Sequence, residues 1–274
     1  MQKDNLFSLK EGFYIVTGGL GLLGKMHCEA ILEYGGTPVI FDIEAKDFNS
    51  YKKYLKEIST IEPIFIKTDI TNESSIKEAI SKLREKDLPI KGLINNAARN
   101  PSVSSKGLQK SNRLEEFCID EWNNDLQVGL TGAFLCTKII GSYMNQNLGG
   151  NIINISSDLG IIAPNQDLYK DDSLKDEEQF VKPISYSVVK SGLIGLTRYT
   201  STYWPDKVRC NCLCPGGIYV DQPDDFLEKI SELIPMKRMA QKNEYKGSIV
   251  FLLSDASSYM TGSIISVDGG RTAW

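Results

Sequence analysis

The fold of this chain is decided by the stretch Tyr14-Ile15-Val16-Thr17-Gly18-Gly19-Leu20-Gly21-Leu22-Leu23-Gly24. A short apolar run enters a cluster of glycines and an amphipathic segment follows, which predicts a strand, a tight turn and a helix in that order. Glycines at such a turn let backbone N–H groups approach a pyrophosphate, whose charge is favoured at a helix N-terminus. A glycine cluster can also be a tight turn and nothing more, so a dinucleotide site needs support from elsewhere in the chain.

An acidic residue stands where a dinucleotide site needs one. Asp42 lies eighteen residues after Gly24 and ends a second apolar run, Val39-Ile40-Phe41. A carboxylate there accepts hydrogen bonds from the adenosine ribose hydroxyls and repels a 2′-phosphate. Neither Leu20 nor Ile43 is basic, so we predict NAD, preferred over NADP. The alternative is that Asp42 is an ordinary solvated strand end.

The alternation of apolar run and amphipathic segment continues along the whole chain. The predicted strands are residues 14–17, 38–41, 64–67, 92–95, 151–155, 208–214 and 264–267. Most are continuous apolar runs, which are typical of strands covered on both faces. No linker or repeat divides the sequence, so we predict one domain over residues 1–274, with a parallel sheet wrapped by helices.

The charge balance excludes two classes of partner. The chain has 31 Lys and Arg against 35 Asp and Glu, a net charge of -4, so no basic field recruits nucleic acid or an anionic membrane. Residues 1–11 lack the apolar run of a signal peptide, and no stretch approaches the roughly 20 apolar residues of a membrane span. We therefore expect a cytoplasmic protein.

The six cysteines show no disulfide framework, as expected for an intracellular chain. Cys210, Cys212 and Cys214 alternate along a predicted strand and so share one face. Ligands this close on one strand cannot surround a tetrahedral metal ion, and the single histidine, His27, is distant in sequence. We predict no metal site and treat the three cysteines as small core residues.

A candidate catalytic group lies in Tyr186-Ser187-Val188-Val189-Lys190. Residues four apart on a helix share one face, so the phenol and the ammonium can meet. We expect the charge of Lys190 to lower the pKa of Tyr186 from near 10 towards neutral pH. The phenol can then act as general base on an alcohol or as general acid to a carbonyl. The same Tyr-x-x-x-Lys spacing is also common on exposed helices.

Two serines support the catalytic interpretation. Ser156 and Ser157 close the predicted strand 151–155, whose carboxyl end should face the same cleft. The Ser157 hydroxyl can hydrogen-bond a substrate oxygen as charge develops on it, although a turn cap is the commoner role of a serine. A serine-hydrolase mechanism is excluded because no histidine is placed to activate a nucleophile.

These ordered motifs resemble the short-chain dehydrogenase/reductase family, in its single-domain branch, over almost the whole chain. The matching residues are Thr17-Gly18 with the following glycines, Asp69-Ile70, Asn95-Asn96-Ala97-Ala98, Ser157, Tyr186, Lys190, Pro215-Gly216, Phe251-Leu252-Leu253-Ser254-Asp255 and Asp268-Gly269-Gly270. The resemblance implies an α/β fold with a Rossmann-like doubly wound parallel sheet of about seven strands. It also implies an NAD(P)-dependent oxidoreductase that interconverts a secondary alcohol and a ketone.

The resemblance further implies roles for individual residues. Ser157, Tyr186 and Lys190 would be catalytic, with Lys190 also contacting the nicotinamide ribose. The residues expected to bind the cofactor are Gly18, Leu20, Gly21, Leu22, Leu23, Asp42, Ile43, Asp69, Ile70, Asn96, Ala97, Ala98, Tyr186, Lys190, Pro215, Gly216 and Ile218. A homodimer or homotetramer is implied as well, with the helix that begins near Tyr186 in the interface.

Two positions depart from the family pattern. In the usual T-G-x-x-x-G-x-G spacing Leu22 occupies the middle glycine position and Gly21 precedes it; we expect the backbone contacts to survive. Gly129 stands where many members carry a catalytic asparagine that helps to hold a water beside the lysine. We predict that a water occupies the space beside Gly129 and still reaches Lys190.

Two polar segments, residues 99–116 and 158–185, directly follow predicted strands. They should lie at the carboxyl edge of the sheet, where open α/β folds bind ligands, or else be mobile surface insertions. Asn165 and Gln166 offer oriented hydrogen bonds to hydroxyls, which predicts a polar small-molecule substrate. Arg99 could bind a phosphate or carboxylate of that substrate, or be a solvated surface residue.

The substrate class rests on resemblance within the family. Residues 21–24, 128–132 and 268–274 are similar to members associated with flagellin glycan, nonulosonic acid and other surface-sugar pathways. We therefore expect a sugar or a nucleotide-linked sugar. A catabolic gluconate- or polyol-type dehydrogenase would differ only in its pocket loops. A sugar-nucleotide epimerase or dehydratase normally has a larger carboxyl-terminal lobe, and a non-catalytic NAD-binding regulatory protein usually loses the tyrosine or the lysine.

Overall fold

The computed structural model describes residues 5–86, 88–99, 112–171 and 173–274. Seven parallel strands form one sheet in the order β3-β2-β1-β4-β5-β6-β7. The strands are β1 Phe13–Thr17, β2 Thr37–Asp42, β3 Ile64–Lys67, β4 Ile90–Asn95, β5 Gly150–Ile155, β6 Val208–Pro215 and β7 Ile264–Val267. Each overlaps a predicted strand, and the order is that of a doubly wound, Rossmann-like sheet. The predicted fold class is confirmed.

Helices connect the strands and cover the sheet. They are α1 Leu22–Glu33, α2 Phe48–Ile58, α3 Glu73–Arg84, α4 Ile119–Leu126, α5 Gly132–Cys136, α6 Ser142–Gln146, α7 Ile184–Tyr203, α8 Asp224–Glu232 and α9 Lys246–Leu253. Two π-helical turns, Gln127–Thr131 and Thr137–Gly141, join α4, α5 and α6 into one continuous rod. Within the described ranges no helix is long and apolar enough to cross a lipid bilayer.

The core occupies both faces of the sheet because successive strand residues point to opposite sides. On one face Val16 belongs to a buried cluster with Ile31 of α1 and Leu252 of α9. On the other face Ile15 belongs to a cluster with Ile76 of α3. The continuous apolar runs of the sequence are therefore explained by helices packing on both sides.

The strand order reverses at β1, since β2 lies on one side of it and β4 on the other. A crevice opens at such a point beyond the carboxyl ends of the strands, which is where ligands bind in doubly wound sheets. The polar segment 158–185 leaves the end of β5 at this edge, as predicted, and all of it except residue 172 is described. The greater part of segment 99–116 lies outside the described residues.

His27 gives the fold a testable dependence on pH. It is the only histidine of the chain, it is fully buried in α1, and burial lowers its pKa from 6.5 to about 3. Between pH 6.5 and pH 3 His27 is protonated in the unfolded chain but stays neutral in the folded chain. The free energy of unfolding therefore decreases as the pH is lowered through this range. The expected slope approaches about 1.4 kcal/mol per pH unit. Urea unfolding at pH 7, 6 and 5 should show this slope in the wild type and not in His27→Leu; equal slopes would contradict it.

Candidate active site

A cleft of about 800 Å3 lies at the carboxyl edge of the sheet. Its lining includes every residue predicted to bind the cofactor, together with Ser157 and Arg99. The members come from the ends of separate strands: the loop after β1, Asp42 of β2, the loops after β3, β4 and β5, α7, and the segment after β6. The topology thus brings the residues that the sequence singled out to one place.

The glycine turn is shaped for a close backbone approach. Gly18 has φ +60° and packs against Ala97, whose Cα would lie 2.9 Å from an added Cβ. Gly24 packs against the turn itself, since a Cβ added to this residue would lie 2.2 Å from the Gly18 carbonyl oxygen. Gly21 is the N-cap of α1 and carries no capping side chain, so the first-turn N–H groups remain available to an anion. Leu22 is the first residue of α1 and lies outside the glycine turn.

Asn96 fastens the loop after β4 to the loop after β1. Its Nδ2 donates to the carbonyl oxygens of Thr17 at 2.9 Å and Gly18 at 3.1 Å. The Thr17 hydroxyl in turn accepts hydrogen bonds from the N–H groups of Asn96 at 3.0 Å and Ala97 at 3.1 Å. These bonds fix the two walls of the crevice relative to each other.

Asp42 lies at the far end of the cleft. Its carboxylate accepts hydrogen bonds from the N–H groups of Leu20 at 3.1 Å and Ile43 at 2.9 Å. Each carboxylate oxygen keeps a further lone pair for a ribose hydroxyl. An uncapped helix N-terminus, a glycine floor and a carboxylate at the end of β2 together fit a dinucleotide. Lys46 also lines this end of the cleft. The prediction of NAD considered a basic residue only at positions 20 and 43, and so it missed this lysine.

Tyr186, Lys190 and Ser157 meet at the other end of the cleft. The Lys190 Nζ lies 5.6 Å from the centroid of the Tyr186 ring and donates to the Ile155 carbonyl oxygen at 2.9 Å. Ser156 anchors the helix, since its Oγ donates to the Lys190 carbonyl oxygen at 2.7 Å. The side chains of Tyr186, Lys190 and Ser157 therefore line one cleft.

The direction in which the pKa of Tyr186 shifts was predicted wrongly. Burial raises it to about 12, and hydrogen bonding with Ser157 opposes this increase only in part. Lys190 is not among the groups that shift the pKa of Tyr186, and burial lowers the pKa of Lys190 itself to about 8. The same desolvation that brings the two groups together disfavours both charged forms.

A family model described as enoyl-(acyl carrier protein) reductase matches residues 23–272. The chain belongs to the short-chain dehydrogenase/reductase family. It is therefore an NAD(P)-dependent oxidoreductase, as the sequence predicted.

Individual relatives span nearly the whole chain. Post-translational flagellin modification protein A of Campylobacter coli is 29% identical over 263 residues, covering 96% of this chain and 98% of that protein. An NADP-dependent mannitol dehydrogenase of Alternaria alternata is 28% identical over 279 residues, covering 97% and 94%. A short-chain dehydrogenase from Leptospira borgpetersenii serovar Hardjo-bovis, solved with bound NAD+, matches with a TM-score of 0.81 and 26% identity, covering 99% and 97%.

Gly129, which replaces the catalytic asparagine of this dehydrogenase/reductase family, lies in the first π-helical turn. A Cβ at this position would lie 2.5 Å from Cγ1 of Val189. A valine methyl group therefore occupies the space into which a side chain at this position would project, and the prediction of a water that reaches Lys190 stays a prediction. A separate cavity of about 10 Å3 is bordered by Gly129, Tyr186, Val189 and Lys190.

The predicted substrate residues separate into three environments. Arg99 lines the cleft but forms ion pairs with Glu121 at 3.0 Å and Asp125 at 3.4 Å. The Asn165 side chain accepts a hydrogen bond from the Asp167 N–H at 2.9 Å and caps a turn, which accounts for it without a substrate. Gln166 lines a second cavity, of about 400 Å3.

Sequence reasoning missed a second buried lysine at the reaction centre. Lys182 is 7% exposed, and its Nζ lies 4.0 Å from the centroid of the Tyr186 ring. Burial, followed by the charge of Lys190, lowers the pKa of Lys182 to about 8. Lys182 lies just before α7, which begins at Ile184, so helical spacing gave no signal for this contact.

Proposed function

We propose that this oxidoreductase interconverts a secondary alcohol and a ketone, with Tyr186 carrying the proton and with Ser157 and Lys190 assisting. The observation that carries the proposal is that these three side chains line the same cleft as the glycine turn. Bound NAD(P) supplies or accepts the hydride. The residues of the chain have to bind that cofactor, orient the substrate oxygen and move one proton.

Binding of the cofactor would be shared along the cleft. The N–H groups of the first turn of α1 would take the pyrophosphate, Asp42 the adenosine ribose and Lys190 the nicotinamide ribose. The remaining cofactor-lining residues predicted above would enclose the dinucleotide between these points.

The proton chemistry follows from the environment of the phenol. A pKa of about 12 keeps Tyr186 protonated at neutral pH, so it can donate to a carbonyl oxygen as general acid. Lys190, with a pKa of about 8, is mostly charged at pH 7 and stabilises the phenolate that donation leaves behind. Oxidation of an alcohol requires the phenol to lose its proton first, which a higher pH favours.

We propose NAD as the preferred cofactor, because the Asp42 carboxylate would repel the 2′-phosphate of NADP. Asp42→Ala is expected to raise the ratio of kcat/KM with NADP to that with NAD by roughly 10- to 100-fold, since repulsion of unit charges near a surface is on the order of 1–4 kcal/mol. Glu44→Gln removes a charge from the same end of the cleft and serves as the control. A ratio unchanged in Asp42→Ala, or raised equally in Glu44→Gln, would contradict the role of Asp42.

We propose a sugar or a nucleotide-linked sugar as the substrate. The 400 Å3 cavity is lined by polar side chains, among them Asn112, Arg113, Gln166, Lys182 and Ser187, and by the apolar side chains of Leu114, Pro164, Val181 and Ile184. The amide and hydroxyl groups can hydrogen-bond the hydroxyls of a sugar, and the apolar side chains can pack against its carbon skeleton. Lys182 joins this cavity to Tyr186 through the contact described above. Similarity to a flagellin modification protein supports a surface sugar, and similarity to a mannitol dehydrogenase makes catabolic polyol oxidation the second candidate.

The test is formation or consumption of NADH with a panel of nucleotide sugars, sugar phosphates, gluconate and mannitol. We expect the highest kcat/KM with a sugar or nucleotide sugar. Gluconate or mannitol as the best substrate would assign the enzyme to the catabolic class instead. Tight NAD+ binding without turnover of any panel member would contradict the proposed reaction and favour a non-catalytic NAD-binding protein.

We also propose that α7 packs against a second copy of the chain in a homodimer or homotetramer. Tyr199 and Tyr203 are 66% and 59% exposed on this helix and stack on each other. Ile184 and Val188 expose apolar surface near its start, and exposed apolar groups of this kind mark association surfaces. Light scattering should give the mass of two or four chains, and a monomer would contradict the proposal.

A further inference from the structure

A small cavity, separate from the cofactor cleft, borders Tyr186 and Lys190. Its volume is about 10 Å3, close to the smallest volume that holds one water, roughly 10–15 Å3. Asp125 and Ser185 border this cavity and do not line the cofactor cleft. Neither residue belongs to the family motifs, and the proposed reaction assigns neither of them a role.

Asp125 brings a carboxylate to the place where Gly129 has no side chain. Asp125 lies in α4, four residues before Gly129 of the first π-helical turn. Residues about one turn apart share one side of a helix, and both of these residues border the cavity. A side chain at position 129 would collide with Val189, since its Cβ would lie 2.5 Å from Cγ1. The polar group on this side of the helix therefore comes from one turn earlier.

Two side chains fix the Asp125 carboxylate. Ser185 is fully buried, and its Oγ donates to Oδ2 of Asp125 at 2.5 Å. Arg99 Nη1 forms an ion pair with Oδ1 at 3.4 Å. Each carboxylate oxygen keeps a further lone pair, and the Asp125 side chain is 14% exposed. This carboxylate can therefore accept a hydrogen bond from a water in the cavity and exchange protons with bulk solvent.

Lys190 has N–H donors available for such a water. An ammonium has three donors, and in the part of the chain that the structure describes Lys190 donates to one acceptor, the Ile155 carbonyl oxygen at 2.9 Å. Lys190 is only 6% exposed, so a donor left without a partner would be costly. The nicotinamide ribose would take one of the two remaining donors, and a water in the cavity would take the other.

Each turnover moves one proton between the phenol and solvent. In ketone reduction the Tyr186 O–H gives its proton to the carbonyl oxygen while the hydride goes to the carbon, so the phenolate has to regain a proton. Bound cofactor and substrate exclude water from the cleft, and the proton then needs another route. Burial lowers the pKa of Lys190 to about 8, which allows this residue to release and regain a proton near neutral pH.

We infer that Asp125, held by Ser185 and Arg99, is a positioning residue that binds one water beside Lys190 and passes protons between that water and solvent. This inference rests on the proposed roles of Tyr186 and Lys190. In ketone reduction Lys190 gives a proton to the phenolate and takes one from the water, which takes one from solvent through the Asp125 carboxyl group. The sum is one proton moved from solvent to the phenol. Alcohol oxidation reverses each transfer.

Asp125→Asn tests the passage of protons. The amide keeps an oxygen that accepts from Ser185 but cannot carry a proton as a carboxyl group does. We expect kcat to fall by roughly 10- to 100-fold, less than the loss of a direct proton donor produces, and the solvent deuterium isotope effect on kcat to increase. The KM should change little, because Asp125 contacts neither substrate nor cofactor.

Glu121→Gln is the matched control. Glu121 is the other carboxylate paired with Arg99, at 3.0 Å, and it does not border the cavity. This variant should retain wild-type kcat and the wild-type isotope effect. An equal loss of kcat in Glu121→Gln and Asp125→Asn would show that only the ion pairs of Arg99 matter, which would contradict the inference.

Formate separates proton transfer from a structural effect. Asp125→Ala opens the space of the carboxylate to a small acid, so added formate should raise kcat severalfold with a saturating dependence on its concentration. Formate should leave the wild type and Glu121→Gln unchanged. Wild-type kcat in Asp125→Asn, or a loss in Asp125→Ala that formate does not restore, would overturn the inference even if the panel assay shows rapid turnover.

A crystal structure of the wild type with NAD+ tests the inference without turnover. We expect one ordered water within hydrogen-bond distance of both Lys190 Nζ and the Asp125 carboxylate. A dry cavity would contradict the inference. If no panel member is turned over, only the proposed function is contradicted, and this water still supports the role of Asp125.

Discussion

Replacing Tyr186 by phenylalanine is expected to lower kcat by roughly 100- to 10,000-fold in both reaction directions, the range that loss of general acid–base catalysis produces. The substitution removes one oxygen and leaves the ring, so the contacts of Lys182 and Lys190 with the ring face remain. The affinity for NAD+ should change by less than about twofold, which is under about 0.4 kcal/mol. The measurements are steady-state kinetics on the best panel substrate and a fluorescence titration of NAD+.

A matched control separates the loss of this oxygen from a general effect of the substitution. Tyr259 is fully exposed, and Tyr259→Phe should retain wild-type kcat. Retention of most activity in Tyr186→Phe would contradict the assignment of the proton to this phenol. Loss of NAD+ binding in the same variant would show that Tyr186 acts on the cofactor site instead.

The fold followed from local features of the sequence. Residues such as Tyr14 to Val16 are apolar at every position because helices cover both faces of the sheet, and that pattern is visible without coordinates. The helix α1 ends before Gly35, whose φ of +85° is the conformation that a glycine after an amphipathic run predicts. The family motifs then implied a doubly wound parallel sheet of about seven strands, which periodicity alone leaves open.

The parts of the site that the sequence failed to predict depend on long-range packing. Asp125 and Ser185 are 60 residues apart, and no spacing rule connects them. The Val189 methyl group that occupies the side-chain space of Gly129 comes from another helix. The raised pKa of Tyr186 follows from how much water the folded chain removes from the phenol, which residue spacing does not reveal.

Gly24→Ala is expected to abolish NAD+ binding and to destabilise the fold. In an exposed helix interior the same change would stabilise the protein by roughly 0.5–1 kcal/mol, because alanine loses less backbone entropy. Here the new Cβ would lie 2.2 Å from the Gly18 carbonyl oxygen and 2.8 Å from the Gly19 Cα. Both atoms belong to backbone, so the glycine turn has to move away from α1. Overpacking of this kind typically costs 1–3 kcal/mol, and the displaced turn no longer offers the pyrophosphate its N–H groups.

Gly247→Ala provides the control of opposite sign. Gly247 also lies in a helix, α9, and an added Cβ there meets nothing within 4 Å, so a small gain in stability and unchanged NAD+ affinity are expected. Urea unfolding and NAD+ titration of both variants check the pair. Wild-type NAD+ affinity in Gly24→Ala would mean that the contact between the turn and α1 is not what shapes the pyrophosphate site, and the cofactor would then have to be held by the far end of the cleft, around Asp42.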